Sequence, residues 1–191
     1  MLWRLANSNN NFNGIKKTPN MTVSTSTDHS ATIWVDADAC PAPMKQILFK
    51  AAKRTQIPVC LLANHPLSVP GSAYIDFIQV PQGIDAADHV IVQKVRASDL
   101  VITADIPLAS EVIAKGALAL NPRGQLYTED NIAQRLRVRN ELEQLRASGI
   151  QTGGPPPLSQ KDKQAFARVL EQFLLKALRE QGVPVRQSIR H

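Results

Sequence analysis

An α/β domain built on a parallel sheet, carrying a helical extension at its C-terminus, is the architecture that this 191-residue sequence predicts. Three observations predict it. Short apolar runs rich in Val, Ile and Leu recur through the body of the chain, at residues 32–35, 58–64, 74–80, 99–105 and 117–121. Stretches with helical spacing of apolar residues separate most of these runs, which is the pattern of parallel strands covered on both faces. Beyond residue 130 the periodicity is helical only, with the stiff connector GGPPP between two long segments.

Each element follows from its residues. The run Thr32, Ile33, Trp34, Val35 is strand-like, and PAPMKQILFKAAKRT after it is a helix, with Pro43 suited to the first turn and Met44, Ile47, Leu48, Ala51 and Ala52 as its apolar stripe. PVCLLAN is a short buried strand. A loop with Pro66, Pro70 and Gly71 leads to YIDFIQV, whose β-branched and aromatic residues suggest another strand. Residues 86–97 are two-sided: VIVQKV reads as a strand, while Ala87, Val90, Ile91 and Val95 also fit a helix stripe with Asp85 as its N-cap. DLVITAD is a strand, IPLASEVIAKG a helix closed by Gly116, and ALALN a further strand. NIAQRLRVRNELEQLRAS is a long helix. Ser159 and Asp162 form a capping box for the last one, whose stripe is Phe166, Val169, Leu170, Phe173, Leu174 and Leu178.

The expected organisation is a disordered leader over residues 1–30, rich in Asn, Ser and Thr with Met21 as an alternative start, one domain over 31–182, and a flexible tail over 183–191. No run of about 18 apolar residues exists, which excludes a membrane-spanning helix, and the N-terminus lacks the apolar centre of a secretory signal. Cys40 and Cys60 make neither a disulfide framework nor a zinc site, and Cys40 suits a small buried role. A reducing cytoplasm is the expected compartment.

Charge is unevenly spread. Residues 31–130 hold 8 Lys and Arg against 10 Asp and Glu, whereas residues 131–191 hold 11 against 5. An acidic body with a basic C-terminal part suits a cation site beside a polyanion-binding surface. Arg135, Arg137, Arg139 and Arg146 would provide that surface, or else form a solvated helix face.

Carboxylates cluster at predicted strand ends. Asp36 and Asp38 follow the first strand at spacing two, which would set them on one face of an extended chain. Asp85 and Asp88 open the ambiguous segment three residues apart, and Thr103 and Asp105 end the DLVITAD strand. The ligand crevice of a parallel α/β sheet lies at the carboxyl ends of its strands, so five carboxylates and a hydroxyl are expected to converge there. Mg²⁺ or Mn²⁺ would keep such a cluster ionised. The plainer alternative makes Asp38, Asp85 and Asp105 helix caps. Lys45, Asn64 and Arg123 are further candidates for contacting a phosphate, each equally readable as a solvated or turn residue. His29, His65, His89 and His191 show no metal-ligand spacing.

The segments VDADACP, LLANH, GIDAADHVIV, DLVITADIPLA, ALNPRG, LYT and TGGPPPLSQKDKQAF, in this order, resemble the YaiI/YqxD family of bacterial proteins. That family looks like a distant member of the PIN-like nuclease superfamily, so the resemblance implies a PIN-like three-layer domain and a metal-dependent nuclease. It implies Asp36 and Asp105 as principal metal ligands, with Asp85 and Asp88 between them in sequence and Asp38 as the family's own addition. The functional expectation is phosphodiester hydrolysis of nucleic acid, RNA first, with Mg²⁺ or Mn²⁺ held by Asp36, Asp38, Asp85, Asp88 and Asp105. Asp36, Thr103 and Asp105 would be the catalytic centre, and Lys45, Asn64, Arg123, Arg135 and Arg139 would contact substrate. Two alternatives stand beside it: a haloacid-dehalogenase-type phosphatase with Asp36 as nucleophile and Asp38 as acid, and a non-catalytic nucleic-acid-binding protein.

Overall fold

Six strands in the order β3-β2-β1-β4-β5-β6 make the central sheet of the computed structural model, which describes residues 30–182 apart from 84 and 155. The expected leader and tail, with Met21, His29 and His191, lie outside the described residues. The strands are β1 (Ile33–Asp36), β2 (Val59–Ala63), β3 (Ile75–Gln79), β4 (Leu100–Ile102), β5 (Leu118–Leu120) and β6 (Leu126–Tyr127). The first five are parallel, and β6 pairs antiparallel with β5 at the edge. The helices are α1 (Ala42–Thr55), α2 (Ala86–Lys94), α3 (Ile106–Ala114), α4 (Glu129–Ala147) and α5 (Gln160–Glu180). Every expected strand is present; β6 was not expected, because two residues carry no readable alternation.

Strand alternation divides the core into two faces. Ile33 and Val35 of β1 join Leu48 of α1 and Phe166, Leu170 and Leu174 of α5 on one face. Trp34 packs on the other with Ile91 of α2, Leu108 and Val112 of α3 and Ile132 of α4. Helices thus cover both faces of the sheet, giving the expected three-layer α/β architecture. The chain moves outward from β1 through α1 to β2 and β3, then returns by α2 to β4 on the other side of β1 and moves the opposite way to β5. That reversal puts α1 on one face and α2 and α3 on the other, since such crossovers share one hand. It also makes the junction of β1 and β4 the topological switch point, where the crevice of an open α/β sheet lies.

The two-sided segment is resolved as the helix α2, since β1 and β4 are each other's neighbours and leave no slot for a strand between them. The C-terminal helix is held by a device at the NPRG turn. Asn121 Oδ1 accepts from the Arg123 and Gln125 amides at 2.9 and 3.0 Å, shaping the turn. Gly124 there has φ +77°, and a methyl group on it would collide with the α5 backbone at Ala165 and Phe166. Arg123 then spans Asp162, at 3.1 Å, and the Pro156 carbonyl, tying the TGGPPP segment and the start of α5 to the sheet. The expected capping box is present: Asp162 N donates to Ser159 Oγ at 3.1 Å and Ser159 N to Asp162 Oδ2 at 2.8 Å.

Candidate functional site

At the switch point a cavity of about 500 Å³ is lined by Asp36, Asp38, Asn64, Asp85, Asp88 and Asp105, with Ala39, Val80, Gly83, Ala86, Ala87 and Ala104 forming the walls. A second, of about 150 Å³, shares Asp85, Asp88 and Asp105 with it and adds His89, Pro107, Leu108, Glu111 and Arg139. The small side chains of the first keep it open.

Asp36 ends β1 and is only 8% exposed. Its Oδ2 accepts from Thr103 Oγ1 at 3.1 Å and its Oδ1 from the Ala39 amide at 3.4 Å. Burial raises its pKa above the ordinary carboxylate range, and the charges of Asp38 and Asp105 add to the rise, against these hydrogen bonds. Asp88, on the first turn of α2, is pushed up to about 6 by burial and by the neighbouring charges of Asp36, Asp105, Asp85 and Glu111. Both shifts report the same condition: negative charge concentrated where water is scarce.

Asp105 serves two purposes. Its Oδ1 accepts from the Leu108 amide at 2.8 Å, so the cap expected as the plainer alternative is real, while Asp105 also lines both cavities. Asp85 corrects the cap expectation in the other direction. It stands at the N-cap of α2 with φ 59° and makes no side-chain cap bond, so its carboxylate is not consumed by the helix. A left-handed backbone costs a non-glycine residue roughly 1 kcal/mol, least for Asp and Asn.

Asp38 departs from the expected pairing with Asp36. β1 stops at Asp36 and residues 37–39 turn, so strand alternation does not reach Asp38. It is not a cap either, since α1 begins after Pro41. Instead its Oδ1 lies 2.8 Å from His65 Nδ1, and its Oδ2 accepts from the Asn64 amide at 3.1 Å. Asp38 thus holds the loop after β2 while still lining the larger cavity.

The candidate phosphate contacts divide. Arg139 lines the smaller cavity and pairs with Glu143 at 2.6 Å, and Arg135 lies over the Tyr127 ring at 5.4 Å. Asn64 lines the larger cavity. Lys45 donates to the Ala37 carbonyl at 3.1 Å, beside the end of β1. Arg123 does not meet its expectation as a phosphate clamp, because its guanidinium is spent on Asp162 and Pro156 and it lines neither cavity. Glu111, His89 and His65 were not expected at the site. Glu111 was readable: it falls three and four residues after Leu108 and Pro107, on the same side of α3.

The carboxylates that line the cavities are oxygen donors, which suit Mg²⁺ or Mn²⁺. Among the described residues no three His, Cys, Asp or Glu side chains are close enough to enclose a metal ion. The expected five carboxylates thus line one cavity, with Asp38 also bonded to the loop after β2. Such a ring fits a largely hydrated cation touching one or two carboxylates, the way Mg²⁺ is commonly held. Cys40 and Cys60 are buried and free, and burial pushes both thiols up to about 12, so neither is a nucleophile. Among the described residues no helix is long and apolar enough to cross a membrane.

The comparisons agree on one family. Residues 34–176 match the family described as "Uncharacterized BCR, YaiI/YqxD family". A UPF0178 protein of Hydrogenovibrio crunogenus is 58% identical over 148 residues, covering 78% of this chain and 98% of the relative. UPF0178 proteins of Klebsiella pneumoniae strain 342 and Syntrophotalea carbinolica are 61% and 62% identical, covering 78% and 74% of this chain and 99% and 96% of theirs. No solved structure matches the chain. VDADACP, which ends β1, and TADIPLA, which follows β4 and opens α3, supply Asp36 and Asp105 to the cavity and both lie within the matched region; the chain belongs to the YaiI/YqxD family.

Proposed function

We propose that the protein is a Mg²⁺- or Mn²⁺-dependent phosphodiesterase acting on nucleic acid, with RNA as its substrate. The observation that carries this reading is the ring of Asp36, Asp85, Asp88 and Asp105 around one cavity at the β1/β4 switch point, with Asp36 and Asp88 both raised by burial and by neighbouring carboxylates. A divalent cation offsets that repulsion. Asp36 and Asp105 would hold it, with Asp85 and Asp88 completing one or two sites. When bound, the ion polarises a phosphodiester toward attack by water.

The chain's own groups do the rest. Thr103 fixes the Asp36 carboxylate, and Asp105 lines the cavity while its Oδ1 caps α3. Arg139 at the smaller cavity and Arg135 one turn earlier on α4 neutralise phosphates of the bound strand. Lys45 and Asn64 flank the scissile group. The phosphatase reading is the weaker one, because Asp38, its required acid, is committed to His65 and Asn64.

Calorimetric titration of Mn²⁺ into wild type and Asp36→Asn/Asp105→Asn, with cleavage of labelled RNA followed on the same samples, tests the proposal. Binding and cleavage in the wild type, both lost in the variant, are expected. RNA binding without metal-dependent cleavage would instead establish a non-catalytic binding protein, and a trapped aspartyl-phosphate would establish the phosphatase.

A further inference from the structure

The two helical layers that cover the sheet differ in charge. α1 and α5, on one face, carry nine Lys and Arg against three Asp and Glu, whereas α2, α3 and α4 on the other carry five against six. The three acidic residues of the first layer are all engaged: Asp162 with Ser159 and Arg123, Glu171 with Arg54, and Glu180 with Lys176 at 3.9 Å. Lys50, Lys53, Lys161, Arg168 and Arg179 are exposed and form no ion pair among the described residues.

Their spacing gathers them into one surface. On α5 the exposed positions Lys161, Gln164, Arg168, Gln172, Lys176 and Arg179 recur every three or four residues, a stripe about 27 Å long at 1.5 Å per residue with no acidic residue in it. On α1 the exposed positions Gln46, Lys50 and Lys53 repeat the pattern, and the Arg54–Glu171 pair joins the two helices. Solvated helix faces intersperse the two signs, and this one does not. Lys161 and Lys163 moreover stand in the first turn of α5, where a cation opposes the helix dipole, so helix stability does not account for them.

The rest of the chemistry narrows the partner. The apolar stripes of α1 and α5 are spent on the core, so the face has nothing to insert into a membrane as an interfacial helix does. It also offers no platform on which an unpaired base could stack: the exposed large hydrophobic residues among those described, Val138, Leu145 and Ile150, belong to α4 and the loop after it. What remains is cations and side-chain amides, which meet phosphate and sugar oxygens and leave bases unread, the way proteins hold double-helical RNA. We propose that the α1/α5 face docks the phosphate backbone of double-helical RNA, so that the substrate is a structured RNA held on one layer while its scissile segment enters the cavity. The choice of RNA over DNA rests on the proposed function; docking of a duplex backbone does not.

The test uses the full chain, a labelled RNA hairpin and an unpaired RNA strand of equal length, with binding followed by fluorescence anisotropy across a KCl series. Wild type should bind the hairpin more tightly than the strand. Lys50→Gln/Lys53→Gln/Lys161→Gln/Arg168→Gln, four exposed side chains whose loss should leave the melting temperature unchanged, should weaken hairpin binding by about tenfold or more. It should also flatten the salt slope by about one for each cation that meets a phosphate. Lys94→Gln/Arg96→Gln, which removes charge at the end of α2, should change neither. With Mn²⁺ the fourfold variant should raise KM for the hairpin at unchanged kcat and cleave bis(p-nitrophenyl) phosphate as wild type does. Hairpin binding indifferent to the fourfold variant, an equal loss per charge at the end of α2, tighter binding of the unpaired strand, or binding of phosphatidylglycerol vesicles in place of the hairpin would overturn the proposal. Hairpin binding through this face with neither substrate cleaved would sink the nuclease reading and leave the face standing. Cleavage by a wild type whose hairpin binding ignores these four residues would do the reverse.

Discussion

Thr103 Oγ1 donates to Asp36 Oδ2 at 3.1 Å and accepts from the Asp105 amide at 3.0 Å, so one buried hydroxyl joins the end of β1 to the residue that caps α3. The two principal carboxylates are thereby fixed relative to each other across the switch point. Thr103→Val keeps the shape and removes the hydroxyl, leaving the Asp105 amide unpaired and Asp36 short of a donor. The expected cost is about 2 kcal/mol in urea unfolding, with a weaker Mn²⁺ titration, while Thr103→Ser should recover most of both.

Asp88 makes stability depend on pH. Its folded pKa of about 6 lies above the ordinary 3.8, so between these values the folded state holds the proton more tightly than the unfolded chain does. Stability of the metal-free protein should therefore fall as pH rises from about 4 to about 6, and the cost should persist above that. Asp36, raised in the same direction, adds to the trend. Asp88→Asn should flatten the profile and gain about 1 kcal/mol at neutral pH, a value already discounted for the solvent that reaches this half-buried group. Thermal melts across pH with and without Mn²⁺ check it.

Asp99 tests the opposite end of the sheet. It is 3% exposed and accepts from the Thr32 amide, the Trp34 indole and the Arg96 amide, each at 2.9 Å. Asp99→Ala removes the acceptor of three part-buried hydrogen bonds and should cost about 3 kcal/mol. Mn²⁺ affinity measured below the unfolding transition should be unchanged, because Asp99 precedes β4 and the cavity lies beyond its other end.

Arg123 and Arg139 should separate stability from substrate binding. Arg123→Ala frees the NPRG turn from α5 and should lower the melting temperature with no change in RNA affinity. Arg139→Ala should do the reverse, reducing affinity and the salt slope of binding. Gly124→Ala, forced against the α5 backbone at φ +77°, should be the most destabilising of the three.

The sheet, the covering helices and the capping box at Ser159 were legible because each depends on residues within a few positions of one another. The two-sided segment at 86–97 was not. Its apolar residues fit both periods, and only the adjacency of β1 and β4 settles it as a helix. Asp36 and Asp105 were legible as strand-end carboxylates. Asp38 reaches the cavity from a turn, because the strand ends two residues earlier than its alternation assumed, and the use of Arg123 was not legible because its partners stand 33 and 39 residues away.

By itself the sequence determined the parallel α/β layout and the family, since both are written in short ordered segments and local periodicity. It also brought the acidic residues to strand ends, where an α/β sheet opens. Only the tertiary structure decided how each one is used. Asp105 both caps a helix and lines the cavity, Asp85 is left uncapped, Asp38 is taken by His65, and Asp36 is held by Thr103 across 67 residues of chain. Those outcomes turn on which strands lie side by side, and hydrogen bonds between neighbouring strand ends leave no trace in local spacing.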